Sequence, residues 1–215
     1  MRNFIRYKVL LGLVFSLCVA LSAHAAVVIQ EVLYDGPGTD GDDVFIELFG
    51  SPGTDLDGWS IKGINGTNGE VYRTIDLNGL IIPDDGIFVI ATASANPVLA
   101  MQRDFIAEVD WQNGPDGLHL LQGITVIDAL QYGDAGIYNA GEGLFAQDIS
   151  GLESLSRDLF GTDTDNNAVD FHAGTPSPGA GPSIVPVPAS VWLFASGLSL
   201  LGVVRRRRAN VDTNK

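Results

Sequence analysis

The chain has 215 residues, 46% of them hydrophobic, and a formal net charge of −14. Between residues 26 and 184 only Lys62, Arg73, Arg103 and Arg157 are basic, against 25 Asp and Glu, so this body carries a formal −21. A surface of that sign repels phosphate backbones and excludes nucleic acid as an expected partner. It favours solubility and attracts divalent cations or basic surfaces. The one cysteine, Cys18, precedes the body, which therefore has no disulfide, thiol nucleophile or thiolate metal site.

Residues 1–25 read as an export signal. Arg2, Arg6 and Lys8 form the positive start, and residues 9–21 the apolar middle. That run is shorter than the ~20 residues a bilayer span needs. Ala23-His24-Ala25 fits a small-x-small cleavage pattern, which places the expected cut between Ala25 and Ala26.

Beyond it, short apolar runs alternate with Gly, Asn, Asp and Pro clusters. Strands are predicted over 26–34, 44–49, 59–62, 70–75, 86–91, 118–122 and 124–132. Asn65-Gly66-Thr67-Asn68-Gly69 supplies the hairpin turn before 70–75. Asn65-Gly66-Thr67 also fits a glycosylation sequon, but here it reads as a turn. The run 86–91 is the most apolar and is expected at a sheet centre. Only 98–109 offers a weak helical period. Regularly spaced strands without long helices predict an all-β protein, a β-sandwich.

Several side chains stand out. Glu47 lies within an apolar strand and must be hydrogen-bonded, to loop amides, because an unpaired buried carboxylate is very costly. Trp59 is expected to bury its ring where the chain enters a strand, with Gly58 permitting a tight approach. Arg157 is expected to clamp Asp128 or another loop acid. His119 is expected to point to solvent. No Gly-x-Ser-x-Gly elbow, His-Glu-x-x-His or phosphate loop occurs, so no enzyme activity is expected. Asp163-x-Asp165-x-Asn167 sets three oxygen ligands at alternate positions, a spacing that suits Ca²⁺. The run fails the EF-hand pattern, with Ala168 where Gly is needed and Gly174 where Glu is needed. Asx turns explain this run, and the acidic loop of Asp35, Asp40, Asp42 and Asp43, without any metal. Calcium is the only cofactor the sequence raises.

The C-terminal end is an address. Val185-Pro186-Val187-Pro188-Ala189-Ser190 leads into an apolar segment with Trp192 near its start, then Arg205, Arg206, Arg207 and Arg208. From Ala189 to Val204 the segment has sixteen residues, where ~17–25 is usual for a span. Snorkelling arginines or local thinning would let it cross. The arginines stay cytoplasmic by the positive-inside rule, so the body faces outward, as the export signal requires. In this order the three features resemble a PEP-CTERM sorting signal, with Val187 where the name-giving motif has Glu. Such signals are recognised by exosortases in Gram-negative bacteria that make exopolysaccharide. The resemblance implies transient inner-membrane anchoring, cleavage near the Pro motif, and display on the cell surface or secretion. Signal peptidase and exosortase are the implied processing partners. A lipid-anchor signal of the GPI type, which ends in its hydrophobic tail without an arginine cluster, and a plain C-terminal membrane anchor are the alternatives.

The body carries a second resemblance. Ile29-Gln30-Glu31-Val32, Phe45-Ile46-Glu47-Leu48, Leu56-Asp57-Gly58-Trp59-Ser60-Ile61, 126–133, Glu153-Ser154-Leu155-Ser156-Arg157 and the closing Asp163-Thr164-Asp165-Asn166-Asn167, Asp170-Phe171 and Thr175-Pro176-Ser177-Pro178-Gly179 occur in the order of a lamin-tail domain. Phe49-Gly50 departs from that pattern, where Asn usually follows the strand. The resemblance implies an immunoglobulin-like β-sandwich. The expected organisation is a signal peptide over 1–25, the sandwich over 26–181, a linker over 182–184, the sorting signal over 185–208 and a cytoplasmic tail over 209–215. The expected function is a non-enzymatic exported surface or extracellular-matrix module, structural or adhesive, associated with exopolysaccharide or other surface proteins. Two alternatives stand beside it. One is a calcium-dependent carbohydrate- or protein-binding domain. The other is an accessory domain of a secreted hydrolase or nuclease system, which the charge of −21 disfavours.

Overall fold

The computed structural model of the protein describes residues 27–37 and 41–180. The export signal with its cut at Ala25 and Ala26, and the sorting segment from Val185 to Arg208, lie outside the described residues. Among the described residues no helix is long and apolar enough to cross a membrane.

The described chain runs β1 (Val28–Leu33), β2 (Phe45–Phe49), β3 (Trp59–Asn65), β4 (Val71–Asp76), β5 (Ile87–Ala91), α1 (Pro97–Gln102), β6 (Phe105–Ile106), β7 (Asp116–Gln122), β8 (Thr125–Tyr132), β9 (Ser154–Ser156), α2 (Asn167–Asp170) and β10 (His172–Gly174). These strands form two sheets, one ordered β10-β9-β1-β2-β5-β6 and the other β4-β3-β7-β8. Pairing is antiparallel except between β5 and β6.

The alternation of side chains explains which faces meet. Along β3, Trp59, Ile61 and Gly63 are buried while Ser60 and Lys62 are not, so this sheet keeps one wet face. Ile29, Val32, Ile46 and Leu48 of the larger sheet join Trp59, Ile61, Leu118, Leu120, Leu130 and Tyr132 of the smaller in one apolar cluster. The rings of Tyr34 and Tyr132 stack across the join, 4.0 Å between centroids and 20° from parallel. Fully burying one such aliphatic or aromatic side chain is worth about 1.5–3 kcal/mol, so this shared core is the main stabilising element.

The larger sheet differs, because β1, β2 and β5 are buried at every position. That pattern requires cover on both faces. Residues 175–180 supply part of it as a strap, hydrogen-bonded to side chains of β1 and β2. The run 86–91 is therefore apolar because both its faces are covered. It does not hold the expected sheet centre, since β5 lies between β2 and the two-residue β6.

The helix expected over 98–109 is shorter. Asn96 caps it by accepting from the Val98 and Leu99 amides, and Pro97 starts it with a preset φ. It ends at Gln102, and Arg103 turns to extended backbone. From there Phe105, Ala107, Val109 and Trp111 face inward at every second residue, a strand period that overrides the helical one. Gly58 corrects another expectation. Among the described residues nothing lies within 4 Å of where its Cβ would be, so no close approach by them requires glycine there. Its φ of +80° does, as the chain turns to deliver Trp59 to the core.

Candidate functional site

The densest buried polar site joins the two sheets through Arg157. Asp128 sits on the inward face of β8 in alternation with Leu130 and Tyr132, and all three are fully buried. Opposite it, β1 shifts register between Ile29 and Glu31, and β9 pairs with β1 only from Glu31 onward. The Ile29 backbone thus lacks a strand partner on that side, and two side chains replace one. Asp128 Oδ2 accepts the Ile29 N–H at 2.6 Å, and Arg157 Nε donates to the Ile29 carbonyl at 3.0 Å.

Arg157 is itself buried and faces three carboxylates. Its Nη2 lies 2.8 Å from Asp128 Oδ1, and its Nη1 lies 3.1 Å from Asp170 Oδ2 and 3.4 Å from Asp163 Oδ1. Nη1 also donates to the Thr162 carbonyl at 2.8 Å. The guanidinium lies 4.4 Å from the centre of the Phe171 ring. The chain therefore wraps its 157–171 loop around one desolvated cation.

The surrounding acids differ in protonation. Burial pushes Asp128 up to about 6, against the pull of Arg157 and the Ile29 amide. Glu142 is pushed up to about 7, by burial first and then by the charges of Asp128 and Asp163. Burial also disfavours the charged form of Asp170, but hydrogen bonds from Thr164 and Asn166, with Arg157, outweigh it and hold that carboxyl below its ordinary value.

Oxygens of Asp128, Glu142 and Asp163 lie within 4.8 Å of one another, and Glu142 Oε2 is buried without a hydrogen-bond partner among the described residues. These three could hold a divalent cation only by competing with Arg157, which already contacts two of them. The alternate-position trio Asp163, Asp165 and Asn167 does not converge. Asp165 sits exposed at φ +55°, its amide donating to Asp163 Oδ1 at 3.2 Å in an Asx turn. Asn167 is fully buried, and its Oδ1 accepts the Gln131 and Glu142 amides at 2.9 and 3.0 Å. Its Nδ2 donates to the Ala129 carbonyl at 2.8 Å. This side chain stands in for a neighbouring strand along the β8 edge, where a free row of amides and carbonyls would otherwise invite pairing. A Cβ on Gly141 would lie 2.2 Å from Asn167 Oδ1, so only glycine admits this fit.

A second acidic pair lies on the covered face of the larger sheet. Glu31 and Glu47 are directly opposite each other on β1 and β2, and both are buried. The strap closes over them. Ser177 donates its amide and its hydroxyl to the two oxygens of Glu31, each at 2.8 Å, and the Gly179 amide donates to Glu47 Oε2 at 2.7 Å. One loop amide thus meets Glu47, while its Oε1 has no partner among the described residues. Burial pushes this carboxyl up to about 8, with the Gly179 bond opposing and the Glu31 charge adding.

His119 is corrected. It is half-buried and its Nε2 lies 2.7 Å from the Ala140 carbonyl, because the loop after β8 folds over the face that strand alternation assigns to solvent. Glu142 was not singled out by the sequence, and Asp170 and Phe171 entered only as a piece of the lamin-tail resemblance, with no partner assigned. They belong to no periodic run, and only the fold brings them to Arg157.

Compared with protein-family models, curated proteins and solved structures, the chain matches none. The described residues define a two-sheet, all-β protein whose sheets are joined by a buried arginine and whose last segment is strapped across one face.

Proposed function

We propose that this protein is an exported, non-enzymatic module, a lamin-tail-like β-sandwich of immunoglobulin type that serves structure or adhesion at the cell surface or in an exopolysaccharide matrix. The export signal delivers the body across the inner membrane of a Gram-negative cell. The Pro motif, apolar segment and Arg205–Arg208 cluster anchor it transiently, and an exosortase trims them. One observation carries the reading: a body of −21 lies between an export-type leader and an arginine-stopped apolar tail, both oriented to place it outside. The structure supports the non-enzymatic part through use. Arg157, Asp128, Asp170 and Asn167 are occupied in joining sheets and covering an edge.

Intact mass of the protein recovered from medium, surface wash and inner membrane tests this. The expected species begins at Ala26 and ends near the Pro motif. A chain that retains the arginine cluster and stays in the inner membrane would overturn the sorting reading.

A further inference from the structure

Four Asn-Gly steps occur in the chain, at Asn65, Asn68, Asn78 and Asn113. Such a step can react with itself, because glycine has no Cβ to keep its amide nitrogen away from the preceding side chain. Reaction needs two freedoms. The glycine N–H must be open to a base, and the asparagine carboxamide must be able to swing onto the nitrogen.

Three of the steps have neither freedom. The buried Gly66 amide donates to Asp116 Oδ1 at 2.9 Å, while Asn65 Oδ1 accepts the Thr67 amide at 2.8 Å and its Nδ2 donates to Gln112 Oε1 at 3.3 Å. The Gly69 amide donates to the Asn65 carbonyl at 2.7 Å, while Asn68 Oδ1 accepts the Glu70 amide at 2.9 Å and its Nδ2 donates to Glu70 Oε2 at 3.1 Å. The Gly79 amide donates to Asp57 Oδ1 at 2.7 Å, while Asn78 Oδ1 accepts the Gly58 amide at 2.6 Å and its Nδ2 donates to Asp76 Oδ1. Exposure alone does not separate the steps, since Asn78 and Gly79 are both exposed.

The fourth step differs. Asn113 and Gly114 are both exposed, and Asn113 lines an open cleft of about 400 Å³ with Tyr72 and Asp110. Neither the Gly114 N–H nor the Asn113 side chain has a hydrogen-bond partner among the described residues. We infer that Asn113 is a site of spontaneous covalent modification, converted to aspartate and isoaspartate by attack of the Gly114 nitrogen on its side chain. The Gly114 nitrogen gives its proton to a water base and bonds to Asn113 Cγ. The Cγ–Nδ2 bond breaks, and Nδ2 departs as ammonia with that proton returned to it. Water then opens the five-membered imide at either carbonyl, and a carboxylate results. Either product adds a negative charge beside Asp110. Isoaspartate also routes the backbone through Cγ, one carbon longer, between the Gln112 bonds to Tyr72 and Tyr132 and the start of β7. This chemistry is the same whatever route the protein takes out of the cell.

The test incubates the purified full-length protein in mildly alkaline buffer, folded and in urea, and maps its peptides by mass spectrometry with fragmentation that distinguishes isoaspartate. In the folded protein Asn113 should convert at least about tenfold faster than each of the other three, the factor that one hydrogen bond of ordinary net strength supplies. Isoaspartate should stand among its products, because direct hydrolysis of the carboxamide yields aspartate alone. In urea the four rates should draw together, since the bonds that restrain three of them are gone. A folded-state rate at Asn113 no greater than at the others would overturn the proposal. So would aspartate there without isoaspartate, or an undiminished lead for Asn113 in urea.

Discussion

Replacing Glu47 by glutamine should flatten the dependence of stability on pH. The carboxylate sits in the middle of β2, fully buried, with a single hydrogen bond from the strap. Its pKa rises from 4.5 to about 8 in the folded protein, chiefly through burial. Between those values the unfolded chain releases this proton while the folded chain retains it, so stability falls as pH rises across the window. Below about 4.5 both states hold the proton and the contribution is flat. At about 1.4 kcal/mol per pH unit, the gap amounts to on the order of 5 kcal/mol by about pH 8. Asp128 and Glu142 add slopes of the same sign in lower windows, ending near 6 and 7, so the variant retains some dependence. The difference between the two proteins isolates Glu47. Glutamine keeps an acceptor for the Gly179 amide and cannot ionise. Urea denaturation at about pH 5, 7 and 9 should give curves that diverge steadily, with Glu47→Gln the more stable at the alkaline end. Parallel profiles for the two proteins would refute the argument.

Other perturbations probe the remaining polar contacts and the core. Arg157→Met strands Asp128 and Asp170 without their cation and should cost about 3–5 kcal/mol near pH 7. Part of that loss should return when Asp128→Asn is added, and a loss below about 1 kcal/mol would mean the ion pairs are not fully desolvated. Trp59→Ala should cost about 3–5 kcal/mol in chemical denaturation, because the ring lies in the shared core. Asn167→Ala removes three hydrogen bonds and should cost about 3 kcal/mol; faster hydrogen exchange at the Gln131 amide should accompany it, and an unchanged rate there would refute the edge-shielding role. Millimolar CaCl₂ should leave the melting temperature where a chloride control leaves it, since Arg157 fills the acidic cluster and Asn167 is engaged elsewhere; a saturable rise would show otherwise.

The longer strands were legible because they are short apolar runs between Gly, Asn and Asp clusters, in places with a period of two. β3 with Trp59, Ile61 and Gly63 inward is the clearest case. β9, α2 and β10 carry three, four and three residues and no period. They exist because β1 and the Asn166 and Asn167 contacts hold them, and that information is not local. The same limit applied to His119. Alternation assigned it to the solvent face, but a loop from 21 residues further along the chain covers it. In the Arg157 cluster, the pairing of Asp128 with Arg157 could be suspected because Arg157 is one of only four cations in an acidic body. The arrival of Glu142 could not, since it is an ordinary loop acid by sequence, and Asp170 was matched only as part of the lamin-tail pattern, with no partner assigned to it. The Asp163-Asp165-Asn167 spacing misleads because Asn167 serves the neighbouring strand edge.

The strap also sets how this body bears load. A pull transmitted through residue 181 would be taken first by the Gly179 hook on Glu47, then by the two Ser177 hooks on Glu31. Only afterwards would it reach β10, which is the edge of its sheet and peels from β9 one rung at a time. The interior strands would be spared while these outer fastenings open and re-close.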